Sequence, residues 1–291
     1  MPITCPYCSC QNPTSDSRNF IVSFGSFRRK SDNSRQQRFF CKPCRKYFSL
    51  ASFHPCFRQR KRHLNPEVFQ HLASGVSQRR LAVLLKTNRK TIVRKFLFLG
   101  LLAYEGFLKD RERQAPCSGV EFDDLETFEH TKLKPLSVVM MVESGSRRIL
   151  GFRVARMPAK GHLTQRSLKK YGYRIDERKT RREELLRDVS PFVAQGALIK
   201  SDESPHYRQP IRKHFPDSTH KTYKGRRACV TGQGELKKGG FDPLFSLNHS
   251  FAMLRANINR LFRKTWNTTK VPERLTLHIA IYAFYHNIML I

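Results

Sequence analysis

The alternation of apolar and polar positions divides the chain into stretches of different character. Near the start, Phe20, Ile21 and Val22, and later Arg38, Phe39 and Phe40, read as short strands set among polar residues. From Pro66 the spacing turns helical, with Phe69 and Leu72 three apart until Gly75 interrupts the run. Ser77 is placed as the N-cap of a helix over 78–85, whose Leu81, Leu84 and Leu85 share a face. Lys86, Thr87 and Asn88 make a turn. A further helix from about Arg89 directs Ile92, Val93 and Phe96 inward and Arg89, Lys90, Arg94 and Lys95 outward. Two helices across a tight turn, the second basic, match a helix-turn-helix that lays its second helix in the major groove.

A polar stretch at 111–116 reads as a linker, and strands follow it. Gly119 to Asp123 is a strand ending in acid, 136–142 is a buried apolar run, and 148–155 is its hairpin partner. A basic helical stretch over 160–187 precedes a short strand at 197–200 that delivers Asp202. Helices over 244–264 and 272–288 complete an α/β order. The expected division is a zinc ribbon over 1–58, a helix-turn-helix region over 59–110 and a catalytic domain over 111–291.

The ribbon is expected from the cysteines. Cys5-Pro-Tyr-Cys8 and Cys41-Lys-Pro-Cys44 are two knuckles whose two-residue gaps let paired thiolates face one Zn²⁺. Four thiolates close a tetrahedral site, so its role is structural: it presents the basic residues around it. The loop around Ser31 and Ser34, between the knuckles, should be exposed. Cys10, Cys56 and His54 remain further candidate ligands.

Charge narrows the partner. Lys and Arg number 55 against 23 Asp and Glu, a net +32 over 291 residues. Such a surplus coats surfaces and attracts a polyanion, and nucleic acid gains affinity from the counterions its phosphates release. A membrane partner fits poorly, because no apolar run approaches the roughly 18 residues of a spanning helix. The N-terminal residues lack the basic start and apolar stretch of a secretory signal. The expected setting is therefore cytoplasmic and reducing, where cysteines hold metal more readily than they form disulfides.

Acids are scarce, which draws attention to the strand-end pair Asp123 and Asp202. Paired carboxylates can hold two Mg²⁺ ions for phosphoryl transfer, although a turn or helix-cap role accounts for isolated aspartates too. Together these motifs resemble the insertion-sequence transposases of the IS1 and IS1595 types, the group with ISXO2-like catalytic domains. The Cys-Pro-x-Cys start, the segment Arg38-Phe-Phe-Cys41-Lys-Pro-Cys44-Arg-Lys-Tyr-Phe48 and the following helices are similar to that family's DNA-binding half. Glu121-Phe-Asp123-Asp124 resembles its first catalytic block, Ser201-Asp202-Glu-Ser-Pro-His-Tyr207 its second, and Leu247-Asn248-His249 to Arg255 the helix bearing its third residue.

The resemblance implies a DDE-superfamily recombinase: an RNase H-like fold, two catalytic Mg²⁺, double-stranded DNA carrying terminal inverted repeats and target sites, a homodimer or larger assembly, and a nucleoid-associated prokaryotic setting. It implies Asp123, Asp202 and Asn248 as the catalytic set; the charge pattern itself puts Arg89, Lys90, Arg94, Lys95, Arg181 and Arg182 along DNA, and Arg255 either on phosphate or on a solvated helix face. The family's third residue is usually Glu. Asn248 offers a neutral oxygen that holds the second ion less tightly, and related groups use Asn there. Glu235, Asp242 and Glu273 are poor substitutes, and His249 is a supporting ligand or a packing residue. The competing expectations are a DNA-binding regulator descended from such an enzyme, or an RNA-directed nuclease or RNA-binding protein.

Overall fold

A computed structural model of the chain describes residues 3–11, 19–30, 33–224, 242–262 and 266–290. The chain divides into two units, Met1–Asn65 and Pro66–Ile291.

In the first unit, β1 (Ile21–Arg28), β2 (Arg35–Cys41) and β3 (Lys46–Ser49) form an antiparallel sheet in that order. Alternation along the strands puts Ile21, Cys41 and Phe48 on one face, where they bury against Cys5 in a small core. The expected strands are present and run longer than their apolar residues alone marked. Of the loop around Ser31 and Ser34, Ser31 lies outside the described residues, Asn33 is exposed, and Ser34 is half-buried, its hydroxyl accepting from Arg29 and Gln36.

The second unit is built on β4 (Cys117–Phe128), β5 (Pro135–Glu143), β6 (Ile149–Arg156), β7 (Val193–Asp202) and β8 (Thr219–Tyr223). Their order is β6-β5-β4-β7-β8. β4, β5 and β6 are antiparallel, and β7 and β8 run parallel to β4. β5 is buried along nearly its whole length because both faces of the sheet are covered, which explains its unbroken apolar run. One face packs against α3 (Arg89–Glu112), α7 (Phe245–Asn257) and α8 (Pro272–Met289) through Phe107, Leu247, Leu254 and Ile279. The other packs against α5 (Arg178–Val189) and α6 (Arg208–His214) through Leu185, Leu186 and Ile211. The basic stretch expected as one helix is two: α4 (Thr164–Tyr171) stops at Gly172 (φ 72°) before α5 starts.

The segment before the sheet departs most from expectation. Ser77 does cap α2 (Gln78–Leu84), accepting from Arg80 N at 3.2 Å, and Asn88 caps α3 through Lys90 N at 2.8 Å. However, α3 runs 24 residues, so the expected linker start at Arg111 falls inside the helix. There the Arg111 guanidinium donates to Leu150 O and lies 4.3 Å from the Phe192 ring centre. The helix is held along its length by α8. A Cβ at Gly100 would sit 2.7 Å from Leu277 Cβ, and one at Gly106 would be as close to the Phe284 ring, so glycine permits the approach. α1 (Asn65–Ala73) is tied to α8 by the hydrogen bond between His278 Nε2 and Leu72 O. These helices therefore share the second unit's core.

Two inward or outward assignments change as a result. Lys95, expected on the outer face, is buried beside Phe96 and Leu99, and Leu84, expected inside, is exposed. The long α3 has neighbours on more of its circumference than a two-helix motif requires.

Candidate functional site

Strand register brings Asp123 and Asp202 together. The parallel pairing of β4 and β7 runs from Gly119↔Leu198 to Phe122↔Ser201, and the two aspartates follow as the next residues. Alternation puts Glu121, Asp123 and Leu125 on the α7–α8 side and Phe122 and Asp124 on the α5 side. The strand does not end in acid as expected: β4 continues to Phe128, and Asp123 lies within it opposite Met140 of β5.

Burial, reinforced by the nearby charge of Asp202, pushes the Asp123 carboxyl up to about 7. Burial also raises Asp202. Asp123 Oδ1 accepts from Tyr207 Oη at 2.9 Å and from Asp124 N at 2.7 Å. Tyr207 is itself pushed upward by burial and by the surrounding aspartates, so it stays a protonated donor. Asp202 Oδ1 accepts from Ser204 N at 3.0 Å. Two carboxylates that resist ionising side by side form a place where a cation is favoured.

Asp124 has a different task. Its Oδ2 lies 3.1 Å from Arg182 Nη2, and the same guanidinium lies 4.9 Å from the Tyr207 ring centre. Arg182 is 6% exposed. It was expected along DNA and instead braces the acid site from within, because a buried guanidinium needs a carboxylate partner.

Asn248, on the exposed side of the first turn of α7, donates its amide to Asp242 Oδ2 at 2.8 Å. α7 is tied to the sheet by a residue whose role the sequence reading missed. Glu121 is 2% exposed, and its carboxylate accepts from Leu247 N at 2.9 Å and from Ser144 Oγ at 3.2 Å, with Lys200 Nζ at 3.7 Å. The signal was present: Glu121 stands two residues before Asp123 and therefore on the same face. His249 lies 3.2 Å from Arg147 Nη1, and burial with that neighbour lowers its pKa.

Of the other basic residues, Arg89, Lys90 and Arg94 are exposed on the first turns of α3. Arg181 pairs with Glu184 at 2.9 Å, and Arg255 is half-buried. Glu235 lies outside the described residues.

In the first unit, the Sγ atoms of Cys5, Cys8, Cys41 and Cys44 all lie within 4.8 Å of one another, with Cys5–Cys44 at 3.6 Å and Cys8–Cys41 at 3.5 Å. Tetrahedral Zn–S bonds of about 2.3 Å put sulfurs about 3.8 Å apart, so the cluster fits zinc. Among the described residues this is the one convergence of three or more Cys, His, Asp or Glu ligands. Of the spare candidates, Cys56 Sγ accepts from Asn65 and His54 Nδ1 accepts from Cys56 N, while Cys10 packs against the small core that holds Cys5 and Cys41.

No protein-family model matches the chain, and no curated protein matches it. Among solved structures, it is similar to the catalytic domain of Mos1 mariner transposase at 12% identity and a TM-score of 0.23, covering 64% of this chain and 91% of that one. It is likewise similar to a structure of the Mos1 transposase catalytic domain and raltegravir with Mn, at 12% identity and a TM-score of 0.22, covering 64% and 92%.

Proposed function

We propose that this chain is a DNA transposase that cuts and joins strands by metal-dependent phosphoryl transfer. The observation that carries the reading is the Asp123–Asp202 pair, in register on adjacent parallel strands, with both carboxyls raised. The order and directions of β4 to β8, three antiparallel strands and then two parallel ones, support an RNase H-like domain.

Asp123 and Asp202 would hold the two Mg²⁺ ions, with the Asn248 oxygen as a neutral third ligand once its amide has turned from Asp242. A divalent cation there supplies the Lewis acidity for in-line attack of water, or of a 3′-hydroxyl, on phosphate. Tyr207 and the Asp124–Arg182 pair hold the Asp123 carboxylate in place. Glu121 fixes the N-terminal turn of α7 against β4, and so sets where Asn248 starts.

DNA recognition is assigned to a helix-turn-helix made by α2 and α3, with Arg89, Lys90 and Arg94 toward the groove, and to the zinc-bound first unit. Lys95 and Arg182 are removed from that surface by their burial. Arg181 and Arg255 would contact the backbone. Synapsis of two terminal repeats calls for a dimer or larger assembly.

The test is strand cleavage of a labelled duplex carrying the terminal repeat, in Mg²⁺ or Mn²⁺, by wild type, Asp123→Ala and Asp202→Ala. Cutting by wild type and its loss in both variants is expected. Cutting that persists in both variants would sink the assigned site. Duplex binding without cutting by the wild type would favour a regulator, the reading to which the neutral, Asp242-bound Asn248 lends support.

A further inference from the structure

A cluster of aromatic rings lies open on the outer face of the first sheet, opposite the side that packs on the cysteines. Phe40 and Tyr47 are register partners on β2 and β3, with ring centres 4.9 Å apart. A bulge in β1 brings a third ring to them. Register jumps from Ser23↔Phe39 to Ser26↔Gln37, leaving Phe24 and Gly25 unpaired, and Gly25 supplies the φ of 67° that the step requires. Phe24 thereby reaches within 4.8 Å of Tyr47, across the width of β2.

These rings are not a core. Phe24 is 49% exposed and Tyr47 50% exposed. A sheet face that keeps large rings in water marks an interaction surface, and its charge selects the occupant. Met1–Asn65 carries thirteen Lys and Arg against two Asp. Two copies of this unit would bring like charge together, which disfavours self-association. A nucleic-acid duplex satisfies the cations but hides its base faces inside the stack. An unpaired strand offers flat apolar faces to the rings and phosphates to the cations.

We propose that Phe24, Phe40 and Tyr47 form a stacking platform for unpaired nucleobases, with neighbouring cations such as Arg38 holding the strand's phosphates. The platform is separate from the acid pair. It rests on the transposase reading only for the source of its ligand, a strand opened at a DNA end.

Direct binding tests it on the zinc-loaded full chain. Fluorescence anisotropy is measured with labelled strands of about 20 nucleotides: single-stranded DNA, the same sequence as RNA, its DNA duplex, and an abasic strand that keeps the phosphates without the bases. The wild type should bind the base-bearing strand at least about tenfold more tightly than the abasic one. Phe24→Ala and Tyr47→Ala should each weaken single-strand binding by about 5- to 100-fold, the loss expected for one stacked base. Duplex and abasic binding, zinc content and salt dependence should stay unchanged, and Tyr47→Phe should bind as wild type. If an alanine variant loses zinc, Phe24→Leu and Tyr47→Leu keep the apolar volume without a ring. The DNA and RNA arms identify the source of the strand. Equal affinity for abasic and normal strands, or ring-less variants that bind as wild type, overturns the proposal. So does loss of self-association in sedimentation with single-strand binding intact, which makes the face an interface between copies. Binding alone is read, so the result is independent of the cleavage assay.

Discussion

Replacing Asp123 by Asn should make the protein more stable when no divalent cation is present. In the fold this carboxyl titrates near 7, against 3.8 for an ordinary aspartate. A native group that holds its proton more tightly than the unfolded one costs stability as pH rises. Its contribution is fully present below about 4 and is lost as pH climbs through about 7. The shift, roughly three units at about 1.4 kcal/mol each, sets an upper bound of about 4 kcal/mol at pH 8. Burial is the larger cause and the charge of Asp202 the smaller, and Asn keeps an oxygen for Tyr207 and for the Asp124 amide, so about 2 kcal/mol is the expected net gain. For a unit of this size, that is a Tm rise of about 4–8 °C. The assay is thermal and urea unfolding of both proteins in a chelator, at about pH 8 and about pH 4. The gain should appear at the higher pH, shrink at the lower, and reverse when Mg²⁺ stabilises only the wild type. An Asp123→Asn protein no more stable than wild type at pH 8 without metal would refute the claim that burial beside Asp202 holds this carboxylate under strain.

Three further outcomes follow from the same geometry. Glu121→Ala strands the Leu247 amide and Lys200 and should cost about 2–4 kcal/mol in urea unfolding, whereas Glu121→Gln, which keeps an acceptor, should cost about half as much; equal costs would count against the carboxylate's role at α7. His278 is fully buried, and burial with Arg260 nearby lowers its pKa to about 3 from 6.5. The stability it brings is complete above 6.5 and is lost as pH falls toward 3, so His278→Gln should differ from wild type with a slope of up to about 1.4 kcal/mol per pH unit in that window. A pH-independent difference curve would contradict it. Finally, the purified protein should contain one zinc. Removing the ion, or Cys41→Ser, should make Met1–Asn65 sensitive to protease, because its core beyond the cysteines is little more than Ile21 and Phe48; resistance after zinc loss would exclude a structural role.

Local features were legible because they depend on residues close in sequence. The two cysteine knuckles, the β5–β6 pairing and the Ser77 cap follow from spacing, alternation and a side chain that reaches a backbone N–H three residues on. A two-residue period puts Asp123 and Asp124 on opposite faces, although the preference for Asp123 comes from the family resemblance and not from that period. What that period could not say was which face each acid would meet. Asp124 looks toward α5, where Arg182 waits for it, and Glu121 looks toward α7, whose amide it accepts.

Those partners stand 58 and 126 positions away in the chain. Lys95 and Arg182 read as surface cations because charge favours water unless a distant group compensates it. Likewise the length of α3, to Glu112, goes with α8 packed along it at Gly100 and Gly106, which no local pattern announces. The sequence by itself determined the strands, the thiol cluster, the acids and the overall positive charge. The tertiary structure alone decided which charges remain outside for a partner and which are spent in holding the acid site, since burial is set by what the rest of the chain brings to a surface.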